Sequence, residues 1–399
     1  MCISRMFSFA VAVFLLTVNL GCGEDPAIGV LLPTSGAAGA YGLAVDDGIQ
    51  LALAEAVDRT MLPPEFALMA ADTKSRPKTA AAELRRMVYE DGIAIVIGGV
   101  TSEEAEAMIP VIEKNHVVLL SPTAPANDLT RKSRYFFRLF ATDEVEGSTA
   151  ARYLFNKAEA RKVLVVTDDS AFTRGIETEF RQHFQLSLGG EIVATVHTDR
   201  ENWARKMSDM LAAHEPQAVY IVGHGEHTLE VLQHLHNGRY RGVRCTTSSI
   251  YLNHVISGGG EAMEGVVFPM VTSEVASQEP PMGGFIDRFR SRYGNQPDIY
   301  AAHGYDAMRL AIHAVVNART VRATALRRYM STNIRDFEGV TGPVAFNERG
   351  DVPRYPVMHQ IWRQRVVSCS WLSKMRENRM IEILENLGLR PTPVSTPHA

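Results

Sequence analysis

Thr101 and Ser102 carry the residue types and the setting for holding an anion. They follow Gly98, Gly99 and Val100 at the end of an apolar run and open a helix-like stretch. A hydroxyl and unpaired backbone N–H groups at a helix start can hold an anionic group against the helix dipole. Another use competes for the same residues. Thr101 with Glu104 three positions later spells a capping box, and Glu103 between them repels an incoming carboxylate.

A small-residue turn gives a second candidate. Gly36, Gly39 and Gly42 join the apolar run Ile28 to Leu32 to a segment with Val45, Ile49, Ala52, Leu53 and Ala56 at helical spacing, and Tyr41 stands within the turn. Such glycines let a ligand approach the backbone, or serve the turn alone. A dinucleotide site is a poor match: the spacing is G-x-x-G-x-x-G, Pro33 intervenes, and only Asp72, ending the second strand, stands in for a ribose-binding acid. An exported nicotinamide-dependent oxidoreductase is therefore a remote reading. His224, Glu226, His227, His234 and His236 are dense enough to raise a metal site, with His227 and His234 on one helix face, but a solvated helix explains them as well and no cysteine pair or H-E-x-x-H motif accompanies them. Neither a G-x-S-x-G elbow nor a P-loop occurs. No catalysis, cofactor or metal is expected.

The elements that must position these residues recur in a regular order. Strand-like runs at Ile28 to Leu32, Phe66 to Ala71, Ile93 to Ile97 and Val117 to Leu120 alternate with helix-like segments. A second series follows at Val163 to Val166, Ile192 to Val196, Val219 to Val222, Val243 to Thr246 and Val266 to Phe268, with helices such as Phe172 to Phe184 and Leu229 to Leu235. Alternation of this kind gives a parallel sheet with helices on both faces, and two series exceed one sheet. Two doubly wound α/β lobes whose strand ends face a common cleft are expected. Later come helices at Phe285 to Tyr293 and Tyr300 to Ala318, strands at Val344 to Phe346 and Val357 to Trp362, and a charged end, Lys374 to Ala399, with one amphipathic helix and the tail PTPVSTPHA.

With 399 residues, 46% of them hydrophobic, the chain can bury two cores, and a net charge of −4 excludes a basic footprint for nucleic acid. Met1 to Leu20 reads as a signal peptide: Arg5, then an apolar stretch from Met6 to Val18 too short to span a bilayer. Cys22, between Gly21 and Gly23, is placed for lipidation, although Asn19 and Leu20 depart from a lipobox, and ordinary cleavage nearby is the alternative. Of the four cysteines, Cys245 and Cys369 read as buried thiols rather than a bridge.

Five motifs in order carry a resemblance: LLPTSGAAGAYG, DGIAIVIGGVTSEEAEAMIPVIEKNHVVLLSP, FRLFATDEVEG, YGNQPDIYAAHGYDAMRLA and TGPVAFNERGD. Over Pro26 to Arg363 the chain resembles the branched-chain amino-acid (Leu/Ile/Val) binding proteins of bacterial ABC importers, the type I periplasmic binding fold. The resemblance implies two lobes joined by a three-strand hinge, closing over a small-molecule ligand and presenting it to an ABC permease of the inner membrane. Crossings are expected near Thr142, Thr272 and Asp351. The implied division is a signal segment 1–22, a first lobe of 26–142 plus 272–350, a second of 143–271 plus 351–372, and an extension 373–399.

It also implies site roles. Ser102 falls where relatives hold the ligand carboxylate, and Ala124 where a backbone carbonyl takes the ligand's amino group. Pro125 replaces a Thr or Ser, so a hydroxyl is lost there, and Thr123 substitutes only if the loop rearranges. Tyr41 aligns with an aromatic covering the ligand side chain, Phe172 with a Tyr, and His224 with another aromatic; Tyr41 and His224 can equally pack in the lobe wall. Ser248 stands where an acid neutralises the ligand ammonium, so Asp143, Asp169 or Glu226 takes over that role or the ligand is no amino acid. Asp143 also suits helix capping. Tyr305 and Asp306 are read as structural. The expected function is capture of a small polar metabolite, an amino acid or related carboxylate or amide, in the periplasm or cell envelope by a protein tethered through an N-terminal lipid. A ligand sensor reporting to a signalling receptor is the alternative.

Overall fold

The structure is a computed structural model that describes residues 27–62, 66–168, 170–271, 282–318 and 322–386. The signal segment with Cys22, Asp169, the Thr272 crossing and the PTPVSTPHA tail lie outside the described residues.

In the first lobe, β1 (Ala27–Leu32), β2 (Ala67–Asp72), β3 (Ile95–Gly98), β4 (Val118–Ser121) and β5 (Phe136–Arg138) form a five-stranded sheet in the order β2-β1-β3-β4-β5. Every pairing is parallel. The central strands are short apolar runs buried along their length, as helices on both faces require. Strand order reverses between β1 and β3, so the loops leaving their carboxyl ends part and open a crevice. Those loops lead to Tyr41 and Ser102.

The second lobe holds β6 (Lys162–Thr167), β7 (Glu191–His197), β8 (Ala218–Val222), β9 (Val243–Thr246) and β10 (Val267–Met270). With β13 (Val357–Trp362) and β14 (Arg365–Ser368), its seven-stranded sheet runs β14-β13-β10-β9-β8-β6-β7. Here the reversal lies between β6 and β8, whose following loops lead to Phe172 and His224. Two series of strands therefore make two lobes, each with a crevice at its switch point. Between β10 and β13 the chain forms the hairpin β11 (Phe337–Gly339) and β12 (Gly342–Val344). The expected strand through Phe346 stops at Val344, where the short hairpin ends.

Two places depart from the pattern read in the sequence. β5 was not expected, because Phe136–Arg138 is too short to show a period. Beyond β13 (Val357–Trp362), β14 (Arg365–Ser368) pairs antiparallel with it across the turn at Arg363 and Gln364. The helix Cys369–Asn386 then runs through position 372, where the sequence suggested a boundary. Cys245 and Cys369 are both free thiols, the first buried and the second half-buried.

Helix packing explains several small residues. The helices Gly39–Asp58 and Ile299–Ala318 meet at Gly48 and Gly304: a Cβ on Gly48 would stand 1.9 Å from the Ala301 carbonyl oxygen, and one on Gly304 2.1 Å from that of Val45. Only glycine permits this approach. Asp306, fully buried on the second helix, accepts from the Val340 and Thr341 N–H groups and the Thr341 hydroxyl, which pins the β11–β12 turn. Tyr305 donates to Glu55 at 2.9 Å. Both residues are structural here.

The lobes are joined at Arg138. Its guanidinium, with no exposure, meets Asp351 Oδ1 at 2.9 and 2.6 Å. The Arg138 N–H donates to the Gly350 carbonyl and its carbonyl accepts from Val352, so residues 350–352 run beside β5 before the chain passes to β13. Arg354 donates to the Leu139 carbonyl at 3.3 Å, which ties this crossing to the one through residues 139–142.

Candidate functional site

The two crevices face each other across one cleft with an empty volume of about 470 Å³, partly open to solvent. From the first lobe it is lined by Tyr41, Ser102, Glu103, Thr123 and Pro125, and from the second by Phe172, His224, Ser248 and Ser249. Phe140 in the crossing and Tyr300 on the helix Ile299–Ala318 complete the wall. Five of the seven expected residues, Tyr41, Ser102, Phe172, His224 and Ser248, thus come together from segments far apart in the chain.

Ser102 opens the helix Ser102–Asn115, and its neighbour Thr101 is the cap, accepting from the Glu104 N–H at 3.3 Å. Capping is therefore done by Thr101, leaving Ser102 to accept from the Ala126 N–H at 3.1 Å and face the cleft. Glu104 turns inward to Thr73, and burial pushes its carboxyl up to about 6. Glu103 lines the cleft.

Ala124 is placed differently from the expectation. Thr123 and Pro125 line the cleft on either side of it, while Ala124 is fully buried and its carbonyl accepts from Arg138 Nη1 at 3.1 Å. The same nitrogen donates to the Ala126 carbonyl at 2.7 Å. The Ala124 carbonyl is thus bonded to the hinge arginine, and a lone arginine in FRLFATDEVEG gave no sign that it would reach back to it.

Asp143 also lies outside the lining. It opens the helix Asp143–Asn156, where Thr142, not Asp143, is the cap. Its N–H donates to the Pro125 carbonyl, and its carboxyl packs against Gly175 so closely that a Cβ there would stand 2.2 Å from Oδ2. Burial, then the neighbouring Glu146, push the Asp143 carboxyl well above the usual range. Buried against Gly175 and outside the lining, that carboxyl is not placed to meet an ammonium in the cleft. Glu226 is spent at the surface on His254 at 3.0 Å.

Sequence reasoning missed the acid that does meet Ser248. Glu146, on the helix Asp143–Asn156, accepts from the Ser248 N–H at 2.6 Å and from its hydroxyl at 3.1 Å. Burial raises its carboxyl to about 7 against the lowering effect of those two bonds. It sits one helical turn beyond Asp143, in the ATDEVEG motif, and the helix period alone would have placed both on one face.

His224 is held by Asp168, whose Oδ2 lies 3.3 Å from Nδ1. Burial pushes the Asp168 carboxyl up, but the His224 ring, the Ser170 N–H and the Thr173 hydroxyl together hold it below the usual range. This acid was passed over in the sequence, although its place directly after β6 at a switch point was a signal for it. Tyr41 crosses the gap: its hydroxyl accepts from the Gly225 N–H at 2.6 Å and reaches the Ser249 carbonyl at 3.4 Å. Burial raises the Tyr41 hydroxyl far above its ordinary value, so it stays neutral.

Other candidates dissolve into structure. Asp72 accepts from the Thr34, Ser35 and Lys74 N–H groups and the Ser35 hydroxyl, closing the glycine-containing turn rather than facing a nucleotide. His234 meets Ser208 at 3.0 Å and His236 meets Glu261 at 3.9 Å. Among the described residues no group of three His, Cys, Asp or Glu side chains is placed to hold a metal ion, and no helix is long and apolar enough to cross a membrane.

A profile of the periplasmic binding proteins matches residues 26–366. The chain belongs to this family. A Leu/Ile/Val-binding protein, BraC3, of Rhizobium johnstonii is 24% identical over 338 residues, covering 82% of this chain and 89% of the relative. Among solved structures, the leucine-binding protein LivK of Thermotoga maritima superimposes with a TM-score of 0.79 at 24% identity, covering 86% of this chain and 97% of that one. The branched-chain amino-acid transporter substrate-binding protein LivJ of Streptococcus pneumoniae, in complex with isoleucine, gives 0.78 at 23% identity, covering 86% and 98%. The fold is therefore the type I periplasmic binding fold, and this family member is a binding protein, not an enzyme.

Proposed function

We propose that this chain is an extracytoplasmic solute-binding protein that captures a small polar metabolite, an amino acid or a related compound, by closing its lobes and hands it to an ABC importer. One observation carries the reading: a single cleft takes its walls from both lobes, and Tyr41 of the first lobe bonds Gly225 of the second across it. The names of the relatives and structures, which bind leucine, isoleucine and valine, support it. Ser102 takes a polar end of the solute at the helix start, and Tyr41, Phe172 and His224 cover its body. Closure is the signal, because a solute shifts the lobes only as far as it prefers the closed form.

The test is a melting-temperature screen of the purified protein against a metabolite panel, followed by small-angle scattering with each hit. A solute at about 100 times its dissociation constant adds about 2.7 kcal/mol of stability. A hit that stabilises, compacts the particle and is taken up by vesicles containing the cognate permease supports the reading. Turnover of a hit, or stabilisation with no compaction by any compound, overturns it.

A further inference from the structure

We infer that the solute of this cleft carries a positive charge: a small organic ammonium seated against the aromatic wall, with Glu103 as its counter-charge. This rests on the cleft being a solute site and narrows what the site takes.

Five rings form one unbroken chain of contacts around the cleft. Phe140 stacks on Tyr300 at 6.4 Å, Tyr300 meets Tyr41 edge-on at 4.8 Å, Tyr41 meets His224 at 5.9 Å, and His224 meets Phe172 at 5.1 Å. Aromatic faces attract cations through the ring quadrupole and offer an anion nothing.

Ser102 accepts from the Ala126 N–H and keeps a hydroxyl hydrogen to donate, but three other hydroxyls of the wall point the same way as the rings. Thr123 donates its hydroxyl hydrogen to the Val100 carbonyl at 2.9 Å, Ser248 to Glu146 at 3.1 Å, and Ser249 to the Gly223 carbonyl at 2.6 Å. With those hydrogens used inside the protein, the three oxygens have only lone pairs to offer a ligand, and Ser249 already shares one of its own with the Thr247 hydroxyl at 2.7 Å. Lone pairs suit a donor or a cation.

Charge decides the sign. Among the described residues of the lining Glu103 is the acidic side chain, and none is a lysine or arginine. Behind His224 stands the Asp168 carboxylate. The buried guanidinium groups are spent elsewhere, Arg138 on Asp351 and loop carbonyls, Arg354 on Thr341 and Leu139. Even the helix start at Ser102 already has Glu103 and Glu104 in its first turn, the negative charge that its dipole favours.

Calorimetry on the purified protein with matched small probes tests the assignment: choline against its neutral isostere 3,3-dimethylbutan-1-ol, and 3-methylbutylamine against 4-methylpentanoate, with leucine as the zwitterion. At least one amine is expected to bind about tenfold or more tightly than its neutral or anionic partner, and Glu103→Gln to remove most of that preference, lowering the affinity for the amine far more than that for the neutral probe. Equal or tighter binding of the neutral or anionic probes, no binding of either amine, or an undiminished preference in Glu103→Gln overturns it. Leucine or 4-methylpentanoate binding with compaction, while both amines fail, sinks the charge assignment and leaves the solute-binding reading standing. Absence of compaction with every probe and with the metabolite panel ends both.

Discussion

The Tyr41 hydroxyl accepts a 2.6 Å hydrogen bond from the Gly225 N–H, so a side chain on the first helix of one lobe satisfies the opening N–H of a helix in the other. A helix start leaves its first N–H groups without partners, and here the partner comes from across the cleft. A Cβ on Gly225 would crowd this contact, standing 3.1 Å from the Ser249 carbonyl and 3.3 Å from the Tyr41 hydroxyl, so its neighbours would have to give way by a few tenths of an ångström. Tyr41→Phe keeps the ring and strands that N–H in the closed form, at a cost of about 1–3 kcal/mol, roughly 5- to 150-fold in the closing equilibrium. The variant should bind a validated solute correspondingly more weakly and give a larger scattering radius without solute. Unchanged affinity and radius would show that the bond contributes nothing to closure.

Asp351→Asn tests the joint between the lobes. Arg138 is fully buried against Asp351 and also holds the Ala124 and Ala126 carbonyls, so removing the carboxylate leaves a buried cation without its counter-charge. Breaking such a pair costs on the order of 3–5 kcal/mol. Arg138→Lys should also destabilise, since one ammonium cannot reach the acceptors that the planar guanidinium spans. Urea midpoints for both variants check this, and a loss below about 1 kcal/mol for Asp351→Asn would mean that water already screens the pair.

Much of the fold and part of the site were legible in the sequence, for different reasons. Short apolar runs such as Ile28 to Leu32 and Val163 to Val166 suit strands covered on both faces, and their alternation with helical periods points to parallel sheets. From there the family resemblance singled out Tyr41, Ser102, Phe172 and His224, and the switch-point geometry explains why they meet. What stayed hidden depends on side chains acting over long separations. Arg138 reaches Asp351 across the whole of the second lobe's sequence, and Glu146 serves Ser248 from a helix whose pattern reads as merely amphipathic. Ala124 was misplaced because a loop has no period from which to tell which carbonyl turns inward.

Gly48→Ala probes the helix contact that carries the rest of the first lobe. The added methyl would overlap the Ala301 carbonyl oxygen, which is backbone and cannot swing aside. Overpacking of this kind costs about 1–3 kcal/mol or more, whereas Gly258→Ala, at the end of the helix Asn253–Gly258 with nothing within 4 Å, should leave stability unchanged or raise it by up to about 1 kcal/mol through helix propensity. Denaturation of the two variants side by side separates close packing from helix propensity. Equal stabilities would refute the contact.

Glu146 makes stability depend on pH in a definite direction. Its carboxyl is raised from 4.5 to about 7 by burial, so between those values the folded chain binds a proton that the unfolded chain has released. Stability therefore falls as pH rises through that window and levels off above about 7, by up to about 3 kcal/mol from this group. Glu104 and Asp298, each raised to about 6 by burial, act with the same sign over a narrower range. Their contributions cancel when two proteins differing only at Glu146 are compared. Glu146→Gln keeps an oxygen for Ser248 and removes the titration, so its unfolding free energy should decline less than the parent's between pH 5 and 7.5 and exceed it at the upper end. Parallel curves for the two proteins would mean that the Glu146 carboxyl keeps its ordinary affinity for protons despite its burial.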